Sequence, residues 1–187
     1  MLLPVIAYFT LQSSSVQTYL SNKASKYFLE EYNANISFSK IDITFINSII
    51  FENVYIQDSK KDTLAYLNKL EVQIKKFGPF KQVVELDKII IDNLYANIYE
   101  DSSLVMNYQF LIDAFASKEE KKKKDTTKSD LRFSCENIDI KNSHIKYKMY
   151  NIPEQKNGMN FDNLDFFDFN LSIRNLHMQN DSILLKL

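Results

Sequence analysis

Four stretches of this chain alternate apolar and polar residues as a half-buried strand does, and each breaks step once, beside an asparagine. IIFENVYI (49–56) sets Ile49 and Phe51, then Val54 and Ile56. IIIDNLYANI (89–98) sets Ile89 and Ile91, then Leu94, Ala96 and Ile98. IDIKNSHIKY (138–147) sets Ile138 and Ile140, then Ser143, Ile145 and Tyr147. LSIRNLHM (171–178) sets Leu171 and Ile173, then Leu176 and Met178. The shared form is apolar-x-apolar-charged-Asn-apolar-x-apolar, with Asn53, Asn93, Asn142 and Asn175 at one place and Ser143 the one departure at an apolar slot. Strand side chains alternate between faces. An uncompensated step of three would therefore turn every later apolar residue to the opposite face. One extra residue in a bulge restores the facing, and asparagine tolerates the left-handed backbone such a residue adopts. A tight hairpin turn is the other device. The flanking runs are short for separate strands, which favours a bulged, bent strand. Repeated bends of this kind curve a sheet in one direction.

The remaining pattern agrees with strands. LEVQIK (70–75) alternates cleanly through Leu70, Val72 and Ile74, and period two begins at Ile36. One-sided alternation fits an antiparallel sheet with one wet face. Before it, Val16, Tyr19, Leu20, Ala24, Tyr27, Phe28 and Tyr32 recur at helical spacing. Ser14 followed by Gln17 has the form of a capping box, and Asn33 is a left-handed helix stop. That helix has two readings: it packs its stripe on the protein's own core, or it lies on a membrane. FLIDAFA (110–116) reads as a second short helix, Gly78-Pro79 as a turn, and the charged run within 117–130 as a solvated loop. Its four consecutive lysines are also suited to anionic headgroups. The expected organisation is an anchor at 1–12, an amphipathic helix at 13–33, and a curved β-groove domain at 34–187.

Composition removes several alternatives. A net charge of -1 gives no general attraction to nucleic acid. Gly 2 rules out a glycine-rich phosphate loop, and Cys 1 rules out an internal disulfide. His144 and His177 lack a second ligand at metal spacing. Asp162, Asp165 and Asp168 do not have the spacing of a calcium loop, and Cys135 reads as a small buried apolar residue. No nucleophile-base pairing is visible in the sequence. The chain is expected to be neither an enzyme nor dependent on a cofactor.

The first 11 residues, MLLPVIAYFTL, supply Leu2, Leu3, Val5, Ile6, Phe9 and Leu11. A spanning helix needs about 20 residues, so the run reads as the end of a longer anchor, with a short buried helix or strand as the alternative. The last residues, ILLKL, stop inside an apolar run, and the sequence reads as unfinished. A single-layer sheet cannot cover its own apolar face, and soluble proteins rarely leave a large apolar patch open. Helices, a second sheet, barrel closure or an acyl chain must meet it, and two helices are too few for about ten strands.

LQSSSVQTYLSNKASKYFLEEYNANISFSKIDITFINSIIFENVYIQD, DTLAYLNKLEVQIK, KIIIDNLYANIYED and NYQFLIDAF together resemble the N-terminal region of TamB-like translocation and assembly module proteins of Bacteroidetes-type bacteria. These belong to the AsmA-like group, related in architecture to chorein-type bridge-like lipid-transfer proteins. The resemblance covers nearly the whole chain and rests on the order of elements, not on one motif. Ser14-Ser15 and Asn33 depart from the family's usual apolar-proline pair and glycine. The resemblance implies a fold that is mainly β with an N-terminal α-helix: a curved antiparallel single-sheet groove, the β-taco. It implies a single inner-membrane anchor with the bulk in the periplasm, and phospholipid carried toward the outer membrane. A role in outer-membrane protein assembly is also implied, with a barrel assembly partner met through a C-terminal region beyond this sequence. The groove would be lined by Ile49, Phe51, Val54, Ile56, Leu70, Val72, Ile74, Ile89, Ile91, Leu94, Ala96, Ile98, Ile138, Ile140, Ile145, Leu171, Ile173, Leu176 and Met178. The competing reading is a structural or adhesion-type β-protein whose apolar face packs on a partner.

Overall fold

The computed structural model describes residues 10–44, 47–78, 83–114, 132–150, 153, 157–179 and 182–186. Helix α1 (Ser14–Tyr32) precedes eight strands: β1 (Ile36–Ser37), β2 (Lys40–Ile43), β3 (Ser48–Gln57), β4 (Thr63–Gly78), β5 (Val83–Tyr99), β6 (Arg132–Lys148), β7 (Asn163–Gln179) and β8 (Ser182–Lys186). All eight belong to one open, curved sheet in the order β1-β3-β4-β5-β6-β7-β8, with β2 beside β1 on β3. The three 17-residue strands β5 to β7 each run about 55 Å at ordinary strand rise.

Two expectations change here. The sheet is not wholly antiparallel, because β5 and β6 run parallel. A parallel neighbour requires a crossover of a dozen residues or more, and the chain from 100 to 131 supplies it, including a short helix at 109–114. Among the described residues there are eight strands, where about ten were expected, and the asparagine slips lie inside strands, as the bulged reading has them. Asn53, Asn93, Asn142 and Asn175 all sit in unbroken strands with φ between 48 and 52°. A hairpin turn at these points is therefore excluded. The 117–130 run lies outside the described residues, as do residues 79–82, so of the expected Gly78-Pro79 turn only Gly78, the last residue of β4, is described.

Helix α1 ends as expected: Asn33 is left-handed (φ 49°), and the Ala34 N–H reaches the Phe28 carbonyl at 3.2 Å. Its start differs. Ser13, not Ser14, is the N-cap, and no side chain caps it. Gln17 instead turns to the sheet and donates to Asp42 Oδ1 at 3.3 Å. The helix is also rotated from its expected stripe. Gln17 and Ser21 are its buried residues, whereas Tyr19 (62%) and Tyr27 (49%) are exposed. The cause is the amphipathic nature of tyrosine, which keeps its hydroxyl wet at little cost. Ser21 needs no sheet partner, since its hydroxyl donates to the Gln17 carbonyl one turn back at 2.9 Å. Phe28 carries the helix onto the sheet: its ring centroid is 6.1 Å from Phe38, which is 5.4 Å from Phe51. The core beneath holds Ala34, Ile36, Val54 and Leu67, with Phe110 and Leu111 closing over it.

At the far end of β5, burial and Asp58 together push the Tyr99 phenol up to about 12, with Tyr99 donating to Asp58 Oδ2 at 2.7 Å. A raised folded pKa favours the neutral phenol. The stability it contributes is full below about pH 10 and is lost as pH rises through about 12. Ultraviolet titration of wild type against Tyr99→Phe is expected to remove one ionisation from the late end of the tyrosine curve, near pH 12.

Candidate functional site

Strand pairing assembles the apolar residues into rows. Directly paired residues share a face. One row reads Ile49, Val72, Ile89, Ile138, Ile173 across β3 to β7. The next reads Phe51, Leu70, Ile91, Ile140, Leu171. A third reads Ile56, Ala65, Ala96, Ile145, Phe166. Between the last two, Val54 pairs Leu67 and Leu67 pairs Leu94. Leu94 falls level with Ser143, since Asp92 pairs Lys141 and Tyr95 pairs His144. Leu86, Cys135 and Leu176 pair in turn, with Ile74 against Leu86. Ile98 pairs Tyr147, and Met178 pairs Phe133. The expected lining residues other than Met178 thus share one face.

The slip explains how. The four-residue unit Phe51-Glu52-Asn53-Val54 lies alongside Leu70-Lys69-Asn68-Leu67 of β4, then Ile91-Asp92-Asn93-Leu94 of β5 and Ile140-Lys141-Asn142-Ser143 of β6. Each of these strands takes its extra residue at the same level, so register is kept from β3 to β6. No residue there faces two partners, as it would in a classic bulge. The result is one crease of asparagines crossing the sheet. The charged positions beside it alternate in sign, Glu52, Lys69, Asp92, Lys141, which favours this register. The Asn53 side chain donates to Ser39 Oγ at 2.9 Å and accepts from the Tyr66 hydroxyl at 2.8 Å. Asn142 donates to Asp92 Oδ1 at 3.2 Å.

Asn175 is not on that line. Asn137 pairs Arg174 and Cys135 pairs Leu176, so Asn175 lies level with Glu136, one layer away. In β7 the first crease is met by left-handed Asp168 (φ 49°), with register shifts around Ser143. The fourth motif copy is therefore a left-handed asparagine in a second bend.

The apolar face is divided. Toward β3 it is covered by the protein itself: Val54 (3% exposed), Phe51, Ile56, Leu70 and Leu94 pack with Phe28, Tyr32, Phe110 and Leu111. Toward β5 to β7, Ile89, Ile91, Ile138, Ile140, Ile145, Leu171 and Ile173 are half-buried by their sheet neighbours. Among the described residues no helix or second sheet is packed on them. Cys135 is buried (1% exposed), and burial pushes its thiol pKa up, as suits a small apolar residue of this face. Sequence reading missed Leu67, Leu86 and Phe166. Leu67 carries the same slip, written backwards because β4 runs antiparallel.

The opposite face is charged. Asp139 accepts from Ser172 Oγ (2.6 Å), Lys88 Nζ (3.0 Å) and Arg174 Nη1 (3.1 Å), and these bonds hold its carboxyl well below the usual range. A lowered folded pKa contributes stability above the unfolded value near 4, lost as pH falls through the lower folded one. Asp139→Asn is expected to cost about 1–2 kcal/mol at pH 7. The gap from wild type should narrow below about pH 4 in urea titrations. On this face Tyr95, His144 and Phe167 form an aromatic step, with centroids 5.3 and 4.1 Å apart.

Among the described residues no group of three metal-ligating side chains forms. No helix in them is long and apolar enough to cross a membrane. Of the anchor residues only Leu11 is described; Leu2, Leu3, Val5, Ile6 and Phe9 lie outside. Comparison with known protein families, curated proteins and solved structures returned no match.

Proposed function

We propose that this chain is the membrane-proximal part of a TamB-like, AsmA-group groove protein, anchored in a bacterial inner membrane, that conducts phospholipid through the periplasm. The observation that carries the reading is the pair of apolar rows ending in Ile138-Ile173 and Ile140-Leu171, held in register across five strands, whose β5 to β7 part has no protein cover among the described residues. Such a face takes acyl chains without a polar contact, each buried CH₂ contributing about 0.8 kcal/mol. The charged reverse face stays in water, and α1 with the 109–114 helix closes the β3 end. Support for outer-membrane protein assembly would come through a barrel partner met elsewhere in a longer protein.

Extraction of the full chain from membranes, followed by mass spectrometry of bound lipid, tests this. The expected result is mixed phospholipids with no strict headgroup preference. A lipid-free protein holding a stoichiometric protein partner would instead establish the structural or adhesion reading.

A further inference from the structure

The aromatic step on the charged face belongs to a longer row. Tyr55 pairs Tyr66, Tyr66 pairs Tyr95, and Tyr95 pairs His144. Ile145 pairs Phe166, so Phe167 falls level with His144, on whose ring it stacks. Each of the five stands next in sequence to a member of the apolar face, and so on the opposite face itself. Five rings across five strands span about 19 Å at ordinary strand spacing, the length of a short oligosaccharide. Two of the rings are tethered: Tyr66 donates to Asn53 Oδ1 at 2.8 Å, and the Tyr55 hydroxyl lies 3.1 Å from Thr63 Oγ1. Polar side chains border the row on both sides. On one side are the exposed crease asparagines and, beyond them, Glu52, Lys69, Asp92 and Lys141. On the other, Asn97, Lys146 and Asp165 pair in line. The helices of the described residues lie elsewhere: α1 meets β1 and β2, and Phe110 and Leu111 close over the apolar face.

We propose that this row is a binding platform for an uncharged, unbranched oligosaccharide laid across the strands. The face of an aromatic ring is negative and attracts C–H groups. A sugar ring offers a flat C–H face with hydroxyls around its rim, so stacking and rim hydrogen bonds form together. The amides, carboxylates and ammonium groups beside the row supply both the donors and the acceptors those hydroxyls need. Charge balance decides against a nucleic acid. Single-strand platforms join their rings to a positively charged groove, whereas here Lys69, Lys141 and Lys146 are matched by Glu52, Asp92 and Asp165. The tethered tyrosines are ordered before a ligand arrives, which lowers the entropy lost on binding. The inference does not depend on lipid transport, which uses the other face.

The test titrates the full chain with chitotetraose, an uncharged linear tetramer of N-acetylglucosamine, to millimolar concentration and follows the aromatic proton–carbon NMR signals. Shifts are expected at Tyr66, Tyr95 and His144 and not at Phe77, an exposed ring at the far end of β4. Single-stranded octathymidylate at the same concentration should leave the row unmoved. Tyr66→Ala and Tyr95→Ala should each weaken chitotetraose binding at least about tenfold, and Phe77→Ala should leave it unchanged, with circular dichroism to verify the fold. The proposal would be overturned if chitotetraose moved none of the row's signals, or moved only signals elsewhere. Tighter binding of octathymidylate at the same rings would overturn it in favour of a nucleic-acid platform. A dimeric protein whose row is already shielded from the probe would overturn it in favour of self-association. The shift map on wild type needs no variant to fold.

Discussion

Ile140→Asp is expected to reduce co-purified phospholipid at least about tenfold while leaving a folded sheet. A carboxylate pressed against acyl chains loses its water without gaining a partner, and burial of an unpaired charge is among the largest penalties available. Without lipid the same side chain is only half-buried and reaches water, so folding is less affected. Lys141 is the paired control: it lies next in sequence, on the charged face and exposed, and Lys141→Gln, which sets no like charge against Asp92, should leave lipid binding nearly unchanged. Mass spectrometry of bound lipid, with circular dichroism to verify the fold, separates the two.

Asn93→Val is expected to cost about 1–3 kcal/mol, measured by urea unfolding. Asn93 holds φ 52° inside a strand, and a β-branched residue is strained there. Asn93→Gly relieves the strain and should be close to wild type, with a few tenths of a kcal/mol lost to unfolded-chain entropy. Asn97, four residues along the same strand and not left-handed, is the reference: Asn97→Val should lack this penalty. If the crease were merely an irregular spot, the Val and Gly variants at 93 would be alike.

The sequence carried the crease because asparagine marks left-handed backbone through local chemistry, and local chemistry is visible residue by residue. The same rule made Asn33 legible as a helix stop. Register was not legible, so Asn175 was grouped with Asn93 although it belongs to another bend. Chain direction hid the copy in β4, where Leu67-Asn68-Lys69-Leu70 reads in reverse. The parallel pairing of β5 with β6 depends on the connection between Tyr99 and Arg132, and strand alternation in the sequence does not specify the direction of a neighbouring strand. The rotation of α1 was lost because tyrosine is read as apolar, while Gln17 was free to turn inward once Asp42 offered an acceptor. For the lining residues, face was legible from alternation. Cover was not, since Val54 and Ile140 have the same local pattern but only Val54 lies under α1 and Phe110.

The central claim is that the β5 to β7 half of the apolar face meets acyl chains. Photocrosslinking in intact membranes tests it most directly, with benzoylphenylalanine placed in turn at Ile91, Ile140, Leu171 and, on the reverse face, Lys141. The account predicts phospholipid adducts from the first three positions and none from Lys141. Adducts to a polypeptide at Ile91, Ile140 and Leu171, with no lipid at any of them, would contradict it.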